Sequence, residues 1–156
     1  MTKIRIDQIV NAGSAPLTAE KIAFTALGGM AVQFTAGEDL VAGNLVHISG
    51  GNNTVKKIVV NVPDPIGAVL ASASNGTAVW VVVCGIANVY FVSNTTAGHV
   101  ARGFITADGA GYVTGQALSE AVPSSPFATD KHFYECGHVL ESRTGAGLAK
   151  VILHFN

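Results

Sequence analysis

Five histidines are the residues best suited to metal or acid–base chemistry, and one short segment places histidine near glutamate and cysteine. That segment is HFYECGH, from His132 to His138. Histidine, cysteine and glutamate bind zinc when the fold gathers three or four of them. His47 and His154 lie in expected strands and His99 in an expected turn, and no pair has the spacing of a metalloprotease helix. We therefore interpret HFYECGH as a connection into the last hairpin, with a metal site as the alternative.

Other catalytic patterns are missing from the sequence. It contains no phosphate-binding loop, no dinucleotide-binding fingerprint and no nucleophile elbow. Glu38 and Asp39 are adjacent, and neighbours in an extended chain point in opposite directions, so they make a poor acid–base pair. We expect no catalytic residues, no metal site, no cofactor and no enzymatic activity.

The two cysteines, Cys84 and Cys136, are far apart in the sequence, and each precedes a glycine. We expect small buried thiols at both positions. A disulfide between them stays open, because it depends on a separation that a sequence does not reveal.

The composition argues against nucleic acid as a partner. Charged residues make up 12% of the chain and the net charge is −1, whereas nucleic-acid binding needs clustered positive charge. So few charges leave little to cover a fully solvated surface, which indicates that other proteins cover part of it.

The segment PIGAVLASASNGTAVWVVVCG, from Pro65 to Gly85, carries no charge. Its densest apolar part is shorter than the roughly 20 residues of a membrane-spanning helix and is rich in valine, which favours strands. We predict no membrane contact, a buried strand over Thr77–Cys84, and a second strand over Ile86–Val92. Gly85 is expected to be a bulge or a break between the two strands.

Residues 1–30 differ from the remainder and are predicted to form an N-terminal arm that contacts a partner. The arm is expected to contain a short strand and a short helix over Thr18–Phe24. Residues 31–156 have the closely spaced strands and turns of an all-β domain, with one further helical turn over Gln116–Val122. The candidate contact residues of the arm are Lys3, Ile4, Arg5, Ile6 and Ile9.

An internal repeat relates two parts of the β-rich domain. Gly67–Ser72 and Gly137–Ser142 both read G-x-V-L-x-S, 70 residues apart, and an apolar strand follows each. Looser similarity pairs Gly43–Val46 with Gly103–Thr106. We predict a small β-barrel or β-sandwich of two pseudo-repeated halves, about 31–92 and 93–156, with at most one or two short helices. The candidate core residues are Val69, Leu70, Val81, Val83, Val139, Leu140, Val151 and Leu153, and Val81 and Val83 are expected to share one core with Val151 and Leu153.

The pattern TAGEDLVAGNLVHISGGNN (Thr35–Asn53), followed by the uncharged segment and its repeat at Gly137–Phe155, resembles the capsid decoration, or cement, proteins of tailed bacteriophages. The resemblance implies a β-barrel-like virion protein on the outer surface of the capsid, made in the host cytoplasm. It also implies the phage major capsid protein as partner and a homo-oligomer, with a trimer favoured over a dimer. An arm could then reach a neighbouring subunit or the shell.

Three other functions stay open. A tail or fibre component of a phage fits the same β-rich composition. A carbohydrate-binding or adhesion module needs an exposed aromatic platform, but Trp80 lies in the most apolar strand. An enzyme is the least favoured, because catalytic motifs are missing.

Overall fold

The computed structural model describes residues 22–60, 64–104, 113–122 and 134–154. These residues form one sheet of ten strands, almost entirely antiparallel. The predicted all-β fold is confirmed. The strands are β1 (Ile22–Phe24), β2 (Met30–Ala36), β3 (Leu45–Ile48), β4 (Thr54–Lys57), β5 (Gly67–Val69), β6 (Ala78–Phe91), β7 (Val100–Arg102), β8 (Leu118–Glu120), β9 (Glu135–Val139) and β10 (Gly147–Leu153).

Five strands of the first half form a closed ring. The order around it is β2, β4, β3, β5 and β6, and β6 pairs back with β2. The β2–β4 contact is parallel and joins Thr35 and Ala36 to Thr54 and Val55. Strand β1 pairs with the part of β2 that precedes this contact. Closing the ring leaves few unpaired backbone groups in the first half.

The second ring uses β6 again. The order continues from β6 through β10, β9 and β7 to β8. A parallel bridge from Phe91 of β6 to Ala117, just before β8, brings the last strand of this series back beside the first. Strand β6 is therefore a wall of both rings.

The predicted break at Gly85 is wrong, because β6 runs through this residue without interruption. Gly85 has a φ of +79°, in a region that side chains disfavour. It also allows a close backbone approach, since a Cβ there would lie 2.6 Å from the carbonyl oxygen of Gly28. Gly85 is therefore the point at which β6 leaves β2 and continues along β10.

Residues 70 apart occupy equivalent positions in the two rings. The Leu70 N–H donates to the Trp80 carbonyl at 2.8 Å, and the Leu140 N–H donates to the Lys150 carbonyl at 2.8 Å. The leucine of each G-x-V-L motif thus makes the same backbone hydrogen bond to the strand that follows the motif. The repeat in the sequence therefore corresponds to a repeat in the structure.

The strands that open each half correspond at a different spacing. The Gly43 N–H donates to Val69 O at 2.8 Å, and the Gly98 N–H donates to Val139 O at 2.9 Å. Gly43 therefore corresponds to Gly98, and the predicted match with Gly103 is wrong. The chain from Gly98 to Gly137 is longer than the chain from Gly43 to Gly67, which changes the spacing, and the match of short glycine-led motifs did not reveal it.

The buried side chains form two clusters. Val79 and Val81 belong to a cluster inside the first ring. Val82, the next residue, belongs to a larger cluster with Val151 and Leu153. Successive side chains of β6 therefore point into different clusters, as expected for a strand that is buried on both faces. The expectation that Val81 and Val83 share a core with Val151 and Leu153 is wrong, since Val81 is in the other cluster and Val83 packs against it.

The larger cluster also contains Leu45, Ile58 and Ala68 of the first half. It is thus the interior of the second ring together with the junction between the halves. The buried second face of β6 is covered by the same chain, which accounts for the absence of charge in this strand.

Both segments that were predicted to be helical contain a short strand and no helix within the described residues. Ile22–Phe24 is β1, and Leu118–Glu120 is β8. Pairing with β2 and β7 decides these short segments, because three residues carry too weak a local preference to form a helix alone. The sequence also predicts a hairpin over residues 103–114, with its turn at Asp108-Gly109, and most of this hairpin lies outside the described residues.

Candidate functional site

An apolar cleft opens on the surface where the two halves meet. Its exposed large apolar side chains are Leu27, Leu70 and Leu148, which are 36%, 43% and 42% exposed. Leu27 lies in the turn between β1 and β2, Leu70 follows β5, and Leu148 lies on β10. Both halves therefore contribute to what we call the apolar cleft.

Glycine shapes the floor of the apolar cleft. A Cβ at Gly43 would lie 2.2 Å from a terminal carbon of Leu148, so glycine leaves room for the end of this side chain. Gly43 has a φ of +86°, and its carbonyl accepts from Tyr90 N–H at 2.9 Å. The cleft holds only about 50 Å³ of space for water, far below the ~300 Å³ of a small metabolite site. It suits contact with another protein surface better.

The predicted core residues separate by position in their strands. Leu70 and Leu140 are 43% and 44% exposed, so their assignment to the core was wrong. Each is the first residue after its strand, where the chain turns and the alternation of the strand no longer holds. The other predicted residues are buried, apart from the half-buried Val83; they are Val69, Val81, Val139, Val151 and Leu153.

The arm contact residues Lys3, Ile4, Arg5, Ile6 and Ile9 lie outside the described residues. The part of the predicted arm that is described, from residue 22 to residue 30, contains β1 and its turn into β2. Phe24 of β1 is 66% exposed.

The cysteines are unlinked and differ in surroundings. Cys84 is exposed, so the expectation of a buried thiol there was wrong, whereas Cys136 is buried. Burial, together with the nearby Glu135 charge, raises the pKa of the Cys136 thiol to about 12. Its Sγ donates to the Ala101 carbonyl at 3.3 Å, which makes it a structural thiol rather than a nucleophile.

One group of ligand-type side chains is brought together by the fold. Glu135 Oε1 lies 3.6 Å from His138 Nε2 and 3.4 Å from His154 Nε2. Glu135 and His138 come from the HFYECGH segment; His132 lies outside the described residues. The sequence did not place His154 with them, because only the β9–β10 register brings the end of β10 beside β9.

A second carboxylate is on the surface of the second half. The Lys150 N–H donates to Glu141 Oε1 at 3.0 Å, and Lys150 Nζ donates to Oε2 at 3.2 Å. These hydrogen bonds lower the pKa of the Glu141 carboxyl from its ordinary value. The pair is exposed and contributes little to stability.

No protein-family model matches the chain, and no curated protein matches it. Among solved structures, the chain is similar to the N base of the head fiber gp8.5 of bacteriophage phi29. The TM-score is 0.57 at 14% identity, covering 80% of this chain and 92% of that one. The two chains therefore share a fold over most of their lengths.

Within the described residues, no helix is long and apolar enough to cross a bilayer.

Proposed function

We propose that this chain is a non-enzymatic structural protein of a tailed-phage virion that binds the outer surface of the head and stabilises the shell of major capsid proteins. The observation that carries this proposal is the fold shared with a head fiber base over 92% of that chain. The resemblance of Thr35–Asn53 and the two G-x-V-L strands to decoration proteins supports it independently.

The apolar cleft is the surface we assign to the shell contact. Single exposed leucines are common on protein surfaces, but three in one cleft at the junction of two halves favour a protein contact. Each copy needs only modest affinity, because a lattice of identical sites, and a homo-oligomer such as a trimer, adds avidity.

The test uses phage heads that lack this protein. Purified chain is added, unbound protein is removed, and bound copies and the temperature at which heads release DNA are measured. We expect saturable binding and a higher release temperature. Heads that neither bind the chain nor gain heat resistance would contradict the proposal.

Matched variants test the surface. Leu70→Ser removes an exposed side chain from the cleft, while Leu140→Ser changes the equivalent residue of the other half, which is exposed to the same degree and lies outside the cleft. We expect Leu70→Ser to weaken binding to heads and Leu140→Ser to leave it unchanged, with similar melting temperatures. Equal binding by both variants would show that the cleft does not contact the shell, and it would not contradict the proposed role in the virion.

A second candidate function is the attachment base of a fibre on the head. The named part of the similar structure, the N base of a head fiber, favours it. Copy number separates the two roles: a shell-wide decoration protein binds at all equivalent positions, whereas a fibre base binds only where fibres stand. Electron microscopy of saturated heads makes this distinction.

A further inference from the structure

We propose that Glu135, His138 and His154 form a binding site for a divalent zinc ion. One ligand atom from each of the three side chains lies within 4.8 Å of the other two. Two imidazole nitrogens and one carboxylate are a common zinc ligand set, with the remaining position open to water or to a further ligand. The site is independent of the apolar cleft and of the proposed virion role.

A bulge in β9 places the first two ligands on one side. In a regular strand, residues three apart, such as Glu135 and His138, point to opposite faces. The β7–β9 register shifts so that Ala101 pairs with Gly137 and Arg102 pairs with Glu135. Cys136 is the extra residue of the bulge, and its side chain is buried in the core. Bulges of this kind redirect side chains, and this one brings Glu135 and His138 together.

The end of β10 supplies the third ligand. The His154 N–H donates to the Cys136 carbonyl at 3.0 Å, which ties this residue to the bulge. A Cβ at Gly137 would lie 2.1 Å from the Ile152 carbonyl oxygen, so glycine is needed for β10 to approach this closely. The imidazole rings of His138 and His154 then have centroids 5.0 Å apart and are tilted by 41°.

The distances fit a tetrahedral ion. Ligand atoms about 2.0–2.1 Å from zinc in a tetrahedron are roughly 3.3 Å from each other. The two distances to Glu135 Oε1, 3.6 and 3.4 Å, are already close to this value. The ligand atoms of His138 and His154 lie within 4.8 Å of one another, and both side chains have room to adjust because they are 42% and 40% exposed.

Charge and access also favour a cation here. The Glu135 side chain is 3% exposed, so its carboxylate is held within the protein, while both imidazoles reach solvent. An ion can thus enter from water and reach the carboxylate of Glu135.

The first half has no such site. The residues 70 positions earlier are Pro65, Ala68 and Cys84, and Ala68 is buried in the junction between the halves. The repeated fold alone therefore does not require these three ligand-type residues. Glu135, His138 and His154 occur only in the second half, where the two histidine side chains are exposed to solvent.

The experiment is calorimetric titration of ZnCl₂ into the full chain without a histidine tag, with melting temperature as a second measurement. We expect one zinc ion per chain and a melting temperature that rises with free zinc, because the ion binds only the folded site. Magnesium should not compete, since it prefers oxygen ligands. A chain that takes up no zinc overturns the proposal.

Variants locate the ion. His154→Ala is expected to weaken zinc binding by more than about tenfold, and the double variant with His138→Ala to abolish it. His47→Ala, on β3 and outside the cluster, is the control and should bind as the unchanged protein does. Circular dichroism checks that each variant is folded. Unchanged affinity in the folded double variant would show that zinc binds elsewhere, and the proposal would then be wrong.

Discussion

At the scale of single residues, the second half contains two leucines that the sequence predicts to be buried and that differ in burial. Leu153 is 3% exposed inside the second ring, whereas Leu140 is 44% exposed after β9. Removing a buried leucine side chain loses its transfer free energy and leaves a cavity, whereas removing an exposed one does neither.

We therefore expect Leu153→Ala to lower the free energy of unfolding by about 2–5 kcal/mol. Leu140→Ala should change it by no more than about 0.5 kcal/mol. Urea denaturation of both variants measures the difference. Similar losses in the two variants would mean that Leu140 is buried as the sequence suggested.

At the scale of elements, the course of β6 depends on the backbone at Gly85. Gly76 makes a matched comparison, because its φ of +78° is nearly that of Gly85. A Cβ at Gly76 meets nothing within 4 Å, while a Cβ at Gly85 would meet backbone atoms of Gly28 and Gly29. The two glycines thus share a conformational cost and differ in packing.

Gly76→Ala is expected to cost about 1–2 kcal/mol of unfolding free energy from backbone conformation. Gly85→Ala should cost about 1–3 kcal/mol beyond that, because the added methyl group has no room. Thermal and urea unfolding of the two variants measure both values. If both substitutions cost the same, the close approach at Gly85 does not constrain the strand.

The strands also show which features of the fold can be predicted from the sequence and which cannot. The run of β-branched residues correctly predicted a strand over Val79–Val83, because this signal is local. The sequence did not reveal that β6 is continuous, since glycine is typical both of breaks and of close approaches. It did not join His154 to Glu135, because strand register depends on the whole sheet. The same holds for the apolar cleft, whose leucines come from distant parts of the chain.

At the scale of the whole molecule, the larger cluster joins both halves. Leu45 and Val82 of the first half and Leu153 of the second belong to it, and Trp80 packs against it. Neither half can lose its structure without exposing apolar side chains of the other, so we expect a single cooperative unfolding transition.

Trp80 is the only tryptophan and reports on this junction. Its fluorescence and the far-ultraviolet circular dichroism should give the same urea midpoint, and Leu153→Ala should lower both by the same amount, although it lies in the other half. A fluorescence midpoint that Leu153→Ala leaves unchanged would show that the halves unfold separately.

The double use of β6 has a consequence for synthesis on the ribosome. All five strands of the first ring are synthesised before β7. The part of β6 beyond Gly85 has its pairing partner only when β10, the last strand, has been synthesised. The 55 residues between Phe91 and Gly147 take about 3–11 seconds to make at 5–20 residues per second. During that time the side of β6 that pairs with β10 is an open edge, and β10 from a neighbouring nascent chain can also pair with it. We therefore expect ribosomes that follow one another closely on the same message to favour strand-swapped assemblies, and slower initiation to favour the correctly closed chain.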